Sequence, residues 1–183
     1  MLLFWFGGPD ERGKPRKQWF EKNPDFDREV RERFLSLWEL GAVGALSNWQ
    51  HTADACLALI VLLDQFPRNM FRGTPRAFAS DAAALEAARH AVASGYDGTM
   101  SAAERLFLYL PFEHSEALAD QDLACELTKP LDALAPGLQA HHYALAHRDI
   151  VRRFGRFPHR NAILGRESTP EEVEFLKGPG SSF

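Results

Sequence analysis

Eight consecutive apolar residues, Cys56 to Leu63, break the mixed patterning of the rest of the chain. A helix that is apolar on all sides belongs at the centre of a domain. Periodicity alone also allows a buried strand. Thr52 as an N-cap, Asp54 in the first turn and the lack of any alternating partner segment favour helix. Pro67 is expected to stop it, because proline has no amide hydrogen and disfavours helical geometry in the residue before it.

The flanking segments repeat at helical spacing. Asn23-Pro24-Asp25 reads as a helix start, followed by a buried face of Phe26, Val30, Phe34 and Leu37, with Gly41 and Gly44 ending the run. Thr74-Pro75 is expected to open an alanine-rich helix reaching about Ser94, with Gly95 as its stop. Ser101-Ala102-Ala103-Glu104 forms a capping box ahead of Leu106, Phe107 and Leu110. Pro111 should break that helix, and Glu113-His114-Ser115-Glu116 should open another that extends to about Thr128 before Pro130. The last long helix is expected from about Leu138 to Phe154. Thr169-Pro170-Glu171-Glu172 is a second capping box, for a short helix ending near Lys177.

These elements predict an all-α fold of about seven to nine helices, arranged as stacked helical hairpins in one domain spanning residues 1–183. Residues 1–22, with Phe4, Trp5 and Phe6, read as an aromatic segment and loop packed on that body, with a turn at Gly7-Gly8-Pro9-Asp10. Residues 178–183 read as a flexible tail. One corner occurs twice: Asp64-Gln65-Phe66-Pro67-Arg68-Asn69 is echoed by Arg156-Phe157-Pro158-His159-Arg160-Asn161. Each copy is followed by Gly and then Thr-Pro, which suggests a duplicated corner and not a short regular repeat.

Composition narrows the partners. A net charge of −4 gives no global attraction to nucleic acid or to anionic lipid. Arginine outnumbers lysine 16 to 5, and Arg148, Arg152, Arg153, Arg156, Arg160 and Arg166 crowd the C-terminal third. No apolar run approaches the ~18 residues of a membrane span, and the first six residues lack the basic start of a signal peptide. Cys56 and Cys125 lie in apolar runs without a partner motif, as reduced core thiols of a cytoplasmic protein.

The polar residues each carry two readings. Arg68, Asn69, Arg153, Arg156, His159, Arg160 and Asn161 either cap and brace their own helix ends or converge on a shared anion, for which the guanidinium fork suits carboxylate or phosphate. Asp64 is placed to restrain one of these arginines. On a single helix, Glu113, Glu116 and Asp120 would share one face and His114, Leu118 and Gln121 another. These residues would then serve as helix caps or as acid–base groups. His147 falls on the inward stripe with Ile150, Val151 and Phe154, where a hydrogen-bonded core histidine is the ordinary outcome; its nearness to the arginines makes it a candidate too. Glu113, His114, His141, His142, His147 and Asp149 match no metal-binding spacing. No Gly-rich phosphate loop or Gly-x-Ser-x-Gly occurs, so no metal or cofactor is expected.

Several blocks stand in the order of one bacterial family. They are Phe4-Trp5-Phe6-Gly7, Leu63 to Asn69, Leu110-Pro111-Phe112-Glu113-His114-Ser115-Glu116, Arg153 to Asn161 and Leu164 to Glu172. Together they span nearly the whole chain, and it resembles the family catalogued as domain of unknown function 924. The resemblance implies an all-helical fold similar to tetratricopeptide-like superhelices and implies no activity. The chain departs at its start, where members carry an acid just before Phe-Trp-Phe and this chain has Leu3.

The functional expectation is a helical protein that binds a small carboxylate or phosphate between the two Phe-Pro corners. Asp64, His114 and His147 would supply acid–base contacts; Arg68, Asn69, Glu116, Gln121, Arg153, Arg156, His159, Arg160 and Asn161 would bind the ligand. The alternative is a scaffold that holds an acidic peptide in a concave face without chemistry.

Overall fold

Helix α3, Ala53–Met70, is enclosed by its neighbours in the computed structural model, which describes residues 1–8 and 10–182. Every residue from Cys56 to Leu63 is buried, as an all-apolar run requires. Pro9, in the expected turn, and Phe183, at the end of the expected tail, lie outside the described residues. Among the described residues the regular structure is helical and no strand occurs.

Around α3 stand α2 (Pro24–Ala42), α4 (Asp81–Ala93) and α5 (Ala102–Glu113), each packed directly against it. Helix α5 then packs on α6 (Leu118–Thr128), and α6 on α8 (Ala140–Phe154). The short helices are α1 (Leu2–Phe6), α7 (Leu131–Leu134) and α9 (Pro170–Phe175). Three of the caps read from the sequence are in place, whereas Thr52 stands at the start of α3 without a side-chain capping bond. Asn23 accepts from the amides of Asp25 and Phe26; Ser101 with Glu104, and Thr169 with Glu172, close reciprocal boxes. Gly155, at φ 69°, ends α8 in the left-handed conformation and donates to Val151 O.

The aromatic segment fills the end of the core. Trp5 and Phe6 are fully buried, and Trp5 packs its ring on Phe26, Phe66 and Phe107. Arg16 holds this segment by donating to the carbonyls of Phe4 and Trp5. A second, smaller cluster of Ile150, Val151 and Phe157, packed with Phe154 and Phe175, joins α8 to α9.

Four boundaries differ from expectation. Pro67 does not stop α3, which continues to Met70. Proline removes the donor for Leu63 O, and Ser80 Oγ supplies a replacement at 2.6 Å. Thr74-Pro75 begins only a 3-10 turn, Pro75–Phe78, and α4 starts at Asp81, with the Ser80 side chain bonded to α3 and not capping α4. Gly41 lies inside α2, where its missing side chain leaves room for Leu62 and Leu63 of α3. Pro111 lies buried within the last turn of α5, and His114 N–H closes that turn on Leu110 O at 2.9 Å.

The last difference has chemical consequences. Glu113 is the final residue of α5 and not the first turn of the next helix, which opens at Leu118. Residues 113–117 therefore do not share helical faces with 118–121, and the dipole at Glu113 opposes a negative charge where a helix start favours one.

Candidate functional site

Asp64 and Arg68 stand one turn apart on α3, in the turn that Ser80 stabilises. Asp64 is fully buried. His114, the residue after α5, brings Nδ1 to 2.7 Å from Asp64 Oδ1. A carboxylate only accepts, so Nδ1 carries the hydrogen and Nε2 is left as the basic nitrogen. Gln65 Nε2 donates to Asp64 Oδ2 at 2.5 Å, and Arg68 Nη1 lies 3.2 Å from Oδ1 while donating to the Asp64 carbonyl at 2.7 Å. Burial opposes ionisation of Asp64. Arg68, then His114, outweigh it and hold the carboxyl well below its usual range.

The second corner arrives through Arg160. Its Nη1 donates to His114 O at 3.0 Å and lies 3.7 Å from Asp81 Oδ2. Arg68 grips both oxygens of the same Asp81, at 2.8 and 3.0 Å. Both guanidiniums stack over Phe78, and Arg160 also over Phe157. Arg68 and Arg160, distant along the chain, thus share one carboxylate and one ring. Arg160 is buried, its Nε has no hydrogen-bond partner among the described residues, and burial with the Arg68 charge lowers its pKa to about 10.

His147, on α8, is buried behind this pair. Its Nδ1 donates to Tyr143 O at 2.8 Å, and its ring centroid is 6.1 Å from that of His114. Glu113 Oε2 lies 3.5 Å from the same Nδ1. Burial first, and then repulsion from His114 once that ring is protonated in acid, push His147 down to about 3. Burial also lowers His114, with Arg68 adding to it, so both rings are neutral near pH 7. His114 keeps a narrow exposed edge, at 13% of its side chain. Among the described residues no group of three or more His, Cys, Asp or Glu side chains is placed to hold a metal ion.

The family model for bacterial proteins of unknown function (DUF924) matches residues 1–180. The chain belongs to that family. Its fold is similar to that of the protein of unknown function ATU0120 from Agrobacterium tumefaciens, with 46% identity over 93% of this chain and 91% of that one, and a TM-score of 0.82. No curated protein matches.

In this DUF924 chain the remaining candidates separate into other clusters. Asn69 turns away and donates to Asp27 at 2.7 Å. Arg153 pairs with Glu171, and Arg156 grips both oxygens of Glu172 at 2.7 and 2.8 Å. Asn161 donates to Ser168 and Glu172. These three fasten α9 to the end of α8, and Arg153 and Arg156 line a surface concavity of about 350 Å³ with Glu171 and Glu172. Gln121 donates to the carbonyls of Glu113 and Ser115, both at 2.6 Å, and so fixes the bend between α5 and α6. Glu116 accepts both ends of Arg166 and the amide of Phe157, which joins that bend to the second corner. His159 is partly buried with its ring 5.6 Å from Phe157, and burial followed by Arg160 lowers it to about 4.

Asp81, Gln65 and Phe78 complete the network and are not among the residues the sequence singles out, while Glu113, weighed there as a cap or acid–base group, is not placed in the expected site. Asp81 was concealed by the expected helix start at Thr74-Pro75, and Glu113 by its resemblance to a first-turn acid. Leu3 is 69% exposed and lies outside the network.

Proposed function

We propose that this protein binds a small anionic molecule where Arg68 and Arg160 meet, and that His114 acts on it as a general base. The contact that carries this reading is the 2.7 Å hydrogen bond from His114 Nδ1 to the buried Asp64 carboxylate. It fixes the tautomer with Nε2 basic, and a base so oriented contributes typically ~10²–10⁴-fold to a proton transfer. Asp64 and Asp81 neutralise the two arginines in sum, so the cluster holds no large surplus charge. Arg160, whose Nη1 stands 3.7 Å from Asp81 Oδ2, is paired less closely with a carboxylate than Arg68, which leaves it more free to hold a carboxylate or phosphate.

An acidic-peptide scaffold is supported less well. A peptide needs exposed cations with no partner, and Arg153, Arg156 and Arg166 are each held by a glutamate of this chain. No helix is long and apolar enough to cross a membrane among the described residues, and the buried free thiols of Cys56 and Cys125 fit a reducing, cytoplasmic setting.

A thermal-shift screen of small carboxylates and phosphates at two salt concentrations tests the reading. Stabilisation of the wild type that is weakened by salt and abolished in His114→Ala and Arg160→Gln is the expected result. An empty screen, or hits that persist in both variants, would remove the proposal.

A further inference from the structure

Glu113 is the most exceptional ionisable group in the molecule. Its side chain is fully buried, and neither carboxyl oxygen has a hydrogen-bond partner among the described residues. It stands at a helix C-terminus, where the dipole is adverse to an anion. A buried carboxylate without donors is one of the costliest arrangements a protein can hold, and it escapes by keeping its proton. Asp64 is a carboxyl in the same region with the opposite treatment, surrounded by Arg68, His114 and Gln65. Two nearby carboxyls whose surroundings push them apart are the usual mark of divided acid–base roles.

Glu113 also has a defined point of contact with the site. Its Oε2 is 3.5 Å from His147 Nδ1, which donates to Tyr143 O, and the His147 ring faces that of His114. The charged and titratable groups on the surrounding elements are Asp64 and Arg68 from α3, Asp81 from α4, Cys125 from α6, and His159 and Arg160 from the 158–160 turn.

We propose that Glu113 is a positioning residue for the Asp64–His114 pair: a neutral carboxylic acid whose ionisation draws the Nδ1 hydrogen of His147 from the Tyr143 carbonyl onto its own carboxylate. The proton lost by Glu113 goes to solvent, and His147 keeps its own. The ionised form adds a second negative charge to the one on Asp64, which raises the proton affinity of both histidines while leaving them neutral. The role as a positioning residue rests on the reading of His114 as the base; the titration itself does not.

The test is the pH dependence of the ring ¹⁵N signals of His147 and His114 in ligand-free, full-length protein. Burial and the Asp64 charge raise Glu113 to about 8, so the wild-type His147 signal is expected to show a step centred there, with a smaller one at His114. Glu113→Gln should abolish both while its circular dichroism matches the wild type. Where Glu113→Gln does not fold, Asp64→Asn takes its place, and loss of the neighbouring negative charge should move the step to lower pH. A step that survives Glu113→Gln, a flat His147 signal from pH 6 to pH 10, or a step unmoved in Asp64→Asn overturns the inference. Because no ligand enters the measurement, a failed ligand screen and a failed titration strike different claims.

Discussion

Ser80 Oγ donates to the carbonyl of Leu63 at 2.6 Å, the acceptor that Pro67 leaves without its helical donor. Trp38 Nε1 donates in turn to Ser80 Oγ at 2.9 Å. One hydroxyl thus repairs the defect that proline makes in the central helix, and the last turn of α3 with Arg68 depends on it. Ser80→Ala leaves a buried carbonyl and a buried indole N–H unpaired, and should lower stability by roughly 1–3 kcal/mol in urea unfolding. Pro67→Ala restores an amide donor to Leu63 O. In the Ser80→Ala background it should therefore cost less than it does alone, and the double-mutant cycle reads that coupling directly.

The arginines of the second corner divide by partner. Arg156 is held by Glu172 and the Glu167 carbonyl beside α9, whereas Arg160 reaches His114 O and Asp81. Arg156→Ala should raise amide exchange in 170–175 and leave the ring resonances of His114 where they are. Arg160→Gln should do the reverse. Amide exchange mapped by mass spectrometry, with histidine ring spectra of both variants, checks the division.

Removal of Arg68 is expected to be costlier than removal of either. Asp64 is fully buried and would retain only His114 and Gln65, while Asp81 would lose its bidentate partner. Breaking a buried ion pair from one side typically costs ~3–5 kcal/mol. Arg68→Met should fall in that range. The folded fraction should also show Asp64 protonating at a higher pH than in wild type, measured from its carboxyl ¹³C shift.

Helix content and the caps were legible in the sequence because they are local. Asn23, Ser101 and Thr169 each bond to amides two or three residues ahead, and the run from Cys56 to Leu63 has only one place to go. The prolines misled because their effect is decided elsewhere: Ser80, seventeen residues beyond Leu63, supplies the donor that rescues the turn at Pro67. The site divides in the same way. Asp64, Arg68, His114 and Arg160 were picked out by residue type, and they meet. Arg156 and Asn161 carry the same side chains in the same corner, yet turn to Glu172, a choice set by where α9 docks. Asp81 and Glu113 had no distinctive spacing, and only tertiary packing makes them partners.

The opposed buried groups predict a stability maximum near pH 6.5. Folded His147 and His159 resist protonation down to about 3 and 4, below their ordinary 6.5. As pH falls below 6.5 the unfolded chain therefore gains protons that the folded state refuses, and stability drops. Glu113 has the opposite sign. Its folded form keeps a proton up to about 8, the unfolded one only up to its ordinary 4.5. Its contribution is complete below 4.5 and is lost as pH rises to 8. Between 4.5 and 6.5 it offsets one histidine, and since His114 is lowered as well as His147 and His159, a net gain with pH remains. Between 6.5 and 8 it acts alone, and stability should fall by roughly 1–2 kcal/mol, given ~1.4 kcal/mol per proton per pH unit. Urea unfolding from pH 4 to pH 9 should show the peak, and in Glu113→Gln the alkaline side should become a plateau while the acid side steepens. An unchanged alkaline slope in that variant would mean that another group carries the proton.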